Sequence, residues 1–430
     1  MTQIATAVPV PATAVAAVPT RRRSLGTDFF SGTPGRMRIL AALAAAVALA
    51  FGVVGLLGLR AVEDSIDRAS ANIEQVARVQ AVYVDLLKAD AAVTNGFLVG
   101  GLESAEVRST YDDAMGRVAA SVAQGAQAQP ADGPAFAALN QRIQEYAGDV
   151  DRARVYNRQG LPVGAAYLKQ AGDSMRAQAL PIVQNLVSAN EKRADNEFRV
   201  TGLAGLVIGM GALTLIALLA IAAWLARRTH RWVNVPLALA IALVTSGLGL
   251  AINHVVQVSA TMTKARSGDF DAAMLLADAR AAAFDAKANE SLSLIARGNG
   301  AANEAAFQEA RGVAAEKLQA LVKADPTTSG LRTLFGDYVV QHLAISKADE
   351  SGKWNDAVAL ATATKDGSAN ERFAAFDEAS AKALDRQVSG VVKTFDQTGR
   401  STLPWIVGGL GVLASFSAAR SMSKRIEEYR

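Results

Sequence analysis

Residues 39–59 read ILAALAAAVALAFGVVGLLGL, a stretch without a single charge, and its reading decides the fold. A helix of this length crosses a hydrocarbon core of about 30 Å. Three similar stretches follow. They are 203–225 (LAGLVIGMGALTLIALLAIAAWL), 232–256 (WVNVPLALAIALVTSGLGLAINHVV) and 403–419 (LPWIVGGLGVLASFSAA), and the last just reaches across. They form two pairs around two polar segments of nearly equal length, 60–202 and 257–402. The pattern predicts an all-α membrane protein with four transmembrane helices.

The basic residues give the expected orientation. Residues 1–38 carry Arg21, Arg22, Arg23, Arg36 and Arg38 against Asp28. The short hairpin 226–231 carries Arg227, Arg228 and Arg231, and the tail 420–430 carries Arg420, Lys424, Arg425 and Arg430 against Glu427 and Glu428. The positive-inside rule places all three pieces in the cytoplasm, at the plasma membrane. The two long segments then lie outside, with an excess of acid over base. A pI of 9.2 therefore reflects the inner membrane face and no nucleic-acid partner. Residues 2–20, rich in Ala, Val, Pro and Thr, read as part of a disordered cytoplasmic arm, and no signal peptide is expected ahead of the first span. With no cysteine, no disulfide braces the outer segments.

Both outer segments show helical spacing of apolar residues. Val62, Ile66, Ile73, Val76, Tyr83 and Leu87 mark one stripe, and Met274, Ala277, Ala281, Phe284, Ala288, Leu292 and Ile295 mark another. A closing helix in the second segment repeats the spacing through Phe373, Phe376, Leu384, Val388, Val391 and Phe395. Breakers at 100–101, 129–134 and 160–162, and at 298–300, 325–330 and 351–352, divide each segment into four helices. At an offset of 192, Leu139, Tyr146, Gly160, Ala165 and Leu168 match Leu331, Tyr338, Gly352, Ala357 and Leu360. The expected architecture is a tandem duplication: two extracytoplasmic four-helix bundles, each on a two-helix stalk. Pro181 should kink the fourth helix of the first bundle.

No phosphate-binding glycine loop, kinase motif set or catalytic triad order is present, so no enzyme, cofactor or metal site is expected. His342 reads as a partly exposed helix residue. The central thirds of the spans lack the polar groups a carrier needs. Gly52, Gly55 and Gly58, Gly205 and Gly209, and Gly408, Gly409 and Gly411 form small-residue faces, for packing among the spans or for homodimerisation. Function is then sought at contacts. Outside, Trp354 and Asn355 at one turn and Phe97 and Leu98 at another are candidate partner contacts, although Trp354 also suits the apolar end of a bundle. Arg152, Arg154 and Arg158 suit a carboxylate but are spaced as a solvated helix face. Inside, Arg227, Arg228, Arg231, Arg425, Glu427, Glu428, Tyr429 and Arg430 are candidate contacts for a separate cytoplasmic protein.

This architecture, together with Lys88-Ala89-Asp90-Ala91 through Phe97-Leu98-Val99-Gly100-Gly101, Ile295-Ala296-Arg297-Gly298 and the tail Arg425–Arg430, resembles the GlnX family of actinobacterial four-span membrane proteins. The resemblance implies a non-catalytic relay. An extracytoplasmic GlnH-like lipoprotein that binds aspartate or glutamate would dock outside, and a PknG-like Ser/Thr kinase would receive the signal inside. The bundles are also similar to chemoreceptor sensor domains. A direct small-molecule receptor and a ligand-independent scaffold therefore remain as alternatives.

Overall fold

The computed structural model describes residues 32–99, 101–198, 201–229, 234–399 and 401–422. Among the described residues every regular element is helical and there is no strand. Helix α1 (Gly32–Val99) runs 68 residues without a break. After it come α2 (Ala105–Ala128), α3 (Gly133–Arg158), α4 (Val163–Ser174), a π turn at Met175–Ala179, and α5 (Leu180–Phe198). Next are α6 (Thr201–Thr229), α7 (Val235–Ala265), a second π turn at Arg266–Phe270, and α8 (Asp271–Ile295). The chain continues with α9 (Ala301–Ala324), α10 (Ser329–Glu350), α11 (Trp354–Thr362), α12 (Ala369–Gly399) and α13 (Leu403–Arg420). Among the described residues four helical stretches are long and apolar enough to cross a membrane: Gly35–Val99, Ala204–Arg228, Val235–Ile295 and Ala369–Arg420. The protein is an all-α membrane protein.

Local chemistry accounts for the turns. Ser104 caps α2 by accepting from the Val107 N–H, and Pro130 and Pro326 open matching 3₁₀ turns before α3 and α10. Gly160 and Gly352, a pair at the 192 offset, end α3 and α10 with φ of +70° and +72°. That left-handed backbone favours glycine. Pro181 stands just after the first π turn, which accommodates the N–H that proline lacks. One break was not expected: residues 363–368 interrupt the fourth helix of the second bundle between α11 and α12, with Gly367 at φ +77°.

The chain divides into two compact units. The apolar unit comprises described residues up to 53, 210–248 and 407–422. Here α1 and α13 touch backbone to backbone: a Cβ on Gly411 would stand 2.2 Å from the Gly52 Cα. The Phe51 ring fills the space left by Gly211 and Gly247. Leu213, Ile216, Leu239, Val412 and Phe416 are exposed, as a lipid-facing surface requires. Packing among the spans thus uses part of the small-residue faces.

The second, more polar unit comprises 54–209 and 249–406. One core joins Val62, Ile66, Ile73 and Val76 of α1, Ala194 of α5, Val258 and Met262 of α7, and Val391 and Phe395 of α12, so the two stalks pack together. A larger core joins bundle 1 (the end of α1 through α5) to bundle 2 (α8 through α12). α8 is buried on nearly every face, including Ala279, Ala281, Ala283, Ala286 and Ala288, because alanine lets neighbours approach from all sides. Residues 79–98 of α1 are buried in much the same way.

Candidate functional site

The two buried helices bring charged groups into the seam between the bundles. Arg176, in the first π turn, donates through Nε (3.0 Å) and Nη2 (2.7 Å) to Asp285 Oδ1 on α8. The same Nη2 lies 3.0 Å from Oδ2 of Asp90 on α1, which is only 1% exposed. Burial pushes the Asp90 carboxyl up, against the pull of Arg176. Desolvation also opposes the Arg176 charge, but the two aspartates outweigh it and keep the guanidinium protonated. Farther along, Lys88 (2.5 Å) and Arg280 (2.6 Å) converge on Asp377 of α12, and Asp278 accepts from Gln80 and Lys317. Burial raises Asp377, yet its two cationic partners hold it below the ordinary carboxylate range. Among the cavities that open on the seam, two beside Arg176 have volumes of about 670 and 460 Å³.

Each bundle also holds a carboxylate under a tyrosine of its third helix. Tyr146 donates to Asp90 (3.4 Å), and Tyr338 donates to Glu290 (3.2 Å). Glu290 is fully buried, with Lys287 at 2.6 Å and His342 Nδ1 at 3.0 Å. The other His342 nitrogen is 3.3 Å from Glu304, and its ring stacks on Phe307. His342 is therefore buried, not partly exposed as its sequence context suggested. Desolvation opposes its charge, but hydrogen bonds to Glu290 and Glu304 win and raise its pKa. Burial raises Glu290, and Lys287 and His342 more than offset that, so its pKa is lowered.

The outer contact candidates divide. Asn355 is exposed. Trp354 is half-buried: its Nε1 donates to the Leu294 carbonyl (2.8 Å), and the Arg297 guanidinium lies 4.2 Å over its ring. Trp354 thus fastens the end of bundle 2. Phe97 is half-buried against Gly164, and Asn157 bonds its carbonyl. Leu98 is buried and faces inward, which corrects its assignment as a contact; Val99 and Leu102 are the exposed apolar residues at that turn. Arg154 is no solvated side chain either: it is buried beside Glu103 and over the Tyr111 ring. Arg227 and Arg228 are exposed in the last turn of α6. Arg231, Arg425, Glu427, Glu428, Tyr429 and Arg430 lie outside the described residues.

Sequence reasoning missed Asp90, Arg176, Asp285, Glu290 and Asp377. The available signal was charge inside the Ala-rich stretches 88–95 and 277–291, where a surface helix would keep one face free of it. Among the described residues no group of three or more His, Asp or Glu is placed to hold a metal ion.

The Actinobacterial sensor domain family matches residues 65–199, which covers α1 from its stalk portion through α5. Over bundle 1 the chain is thus similar to an actinobacterial sensor domain, and that likeness supports a sensing role for this membrane protein. No curated protein and no solved structure matches.

Proposed function

We propose that this chain is a non-catalytic transmembrane signal relay. An extracytoplasmic lipoprotein that binds aspartate or glutamate engages the outer unit, and a cytoplasmic Ser/Thr kinase receives the signal. The observation that carries the reading is α1, one unbroken helix from the apolar stretch at 39–59 into the part matched by the sensor family. A hydrogen-bonded helix passes a shift or a rotation along its length with little loss. Both termini are cytoplasmic in this reading, and Arg227, Arg228, Arg231, Arg425, Glu427, Glu428, Tyr429 and Arg430 contact the kinase. GlnX-like function further implies that GlnH-like and PknG-like partners supply the ligand specificity and the catalysis. The seam cavities favour a second reading, direct sensing of a small molecule.

The test is a tagged pull-down from gently solubilised native membranes, with and without aspartate or glutamate, read by mass spectrometry. Recovery of a binding lipoprotein and a kinase in amino-acid-dependent amounts is the expected result. Recovery of neither overturns the relay.

A further inference from the structure

The two seam cavities share Arg176, Asp285 and Ala306 in their walls, and their volumes of about 670 and 460 Å³ suit a small molecule. Six carboxylates line them: Asp90, Asp173, Glu191, Asp278, Asp285 and Glu309. The basic lining side chains are Lys169, Arg176 and Lys317. Each already has an acid in the seam: Lys169 pairs with Asp173, Lys317 with Asp278, and Arg176 with Asp285 and Asp90. The walls therefore carry surplus negative charge. Asn289 and Asn303 add no charge: each gives one amide N–H to a carbonyl, of Asp285 and of Leu292, and keeps its side-chain oxygen as an acceptor beside a second N–H.

Asp90 gives the site its focus. Its buried Oδ2 has the Arg176 ion pair at 3.0 Å and no aligned donor, because the guanidinium directs its aligned N–H groups at Asp285. A buried carboxylate oxygen without an aligned donor is costly, and a ligand N–H relieves it. Gly172 lies over the same spot: a Cβ there would stand 2.9 Å from Arg176 Nη1 and 3.5 Å from Asp90 Oδ1. The missing side chain keeps the space beside the pair open. A carboxylate ligand would meet no basic side chain without an acid partner. A metal ion needs its oxygens gathered around one point, whereas these are spread along two cavities.

We propose that the seam binds a small linear di- or polyamine, with one ammonium group on Asp90 and another beside Glu191 and Asp278, on either side of the Arg176–Asp285 bridge. An ammonium offers three donors on a compact charge, which matches isolated acceptors better than a planar guanidinium does. Binding would hold α1, the first π turn and α8 together. The inference stands apart from the relay reading, since it needs no partner protein.

The test is calorimetric titration of the full chain in lipid nanodiscs with putrescine and spermidine, alongside aspartate and glutamate. Spermidine should bind, and its affinity should fall roughly tenfold or more in Asp90→Asn and in the double variant Glu191→Gln/Glu309→Gln. The double variant leaves the Arg176, Lys317 and Lys88 bridges intact, so it remains informative if Asp90→Asn fails to fold. Absence of binding by both amines at millimolar concentration overturns the proposal. So does unchanged affinity in the double variant, or binding of aspartate or glutamate in place of the amines. The pull-down outcome is independent of all three.

Discussion

Bundle 1 and bundle 2 solve one problem in two ways. Both keep a carboxylate under an equivalent tyrosine, Tyr146 over Asp90 and Tyr338 over Glu290. Bundle 2 neutralises its acid from within, through Lys287 and His342. Bundle 1 draws its counter-charge from Arg176, which is also bonded to Asp285 of the other bundle. Each bundle thus holds a buried acid under its tyrosine, at positions that differ by 200 and not by 192, and only in bundle 1 is that acid part of the seam. What happens at the seam should therefore be felt in bundle 1 at its centre and in bundle 2 only at its edge.

The strongest way to break the comparison is Glu290→Ala. It leaves Lys287 and His342 buried without their partner, and loss of about 3–5 kcal/mol is expected, confined to bundle 2. Hydrogen exchange should quicken in α8 through α10 and not in α3; equal quickening in both would refute the self-contained picture. Arg176→Ala should cost less, about 2 kcal/mol, because Arg176 and Asp285 are partly exposed. Its exchange signature should appear on both sides of the seam.

Acidity sharpens the contrast further. The raised His342 pKa contributes stability below its ordinary 6.5, and this is lost as pH rises through the raised value. The lowered pKa values of Glu290 and Glu304 contribute stability above about 4.5, lost as pH falls through the lowered values. Bundle 2 should be best protected between about pH 4.5 and 6.5. Asp90 has the opposite sign: its raised pKa means that bundle 1 gains as pH falls from the folded value toward 3.8. Neither slope should exceed about 1.4 kcal/mol per pH unit for one proton. Exchange protection of residues 79–98 and of α8, corrected for intrinsic rates, should diverge on acidification. Smallest of all, Trp354→Phe removes the bond to the Leu294 carbonyl and should cost about 1 kcal/mol in thermal unfolding, with no change in bundle 1.

The spans and most helix ends were legible because apolar length and Gly or Pro turns are local signals. The tyrosine pair at the 192 offset was legible too. The seam was not. Stripe reading assigns a helix one buried face, and Ala279–Ala288 meets that test while being buried all round. His342 and Arg154 misled for the same reason: a helix position that looks solvated from its own spacing is covered by a neighbour no local pattern announces. The break at 363–368 did have a signal, Asp366-Gly367, which is a turn dipeptide.

The two π turns carry a consequence for the chain's tolerance of changes in length. A π turn holds one residue more than an α turn, so the extra residue is taken up where it stands. Elsewhere in a helix an extra residue rotates all that follows by about 100°. Beyond Met175–Ala179, Leu186, Asn190 and Ala194 still face inward, and beyond Arg266–Phe270 so do Ala273 and Ala277. At the level of the gene, loss of a single codon at either turn restores an α turn and leaves the downstream side chains addressed to the same neighbours.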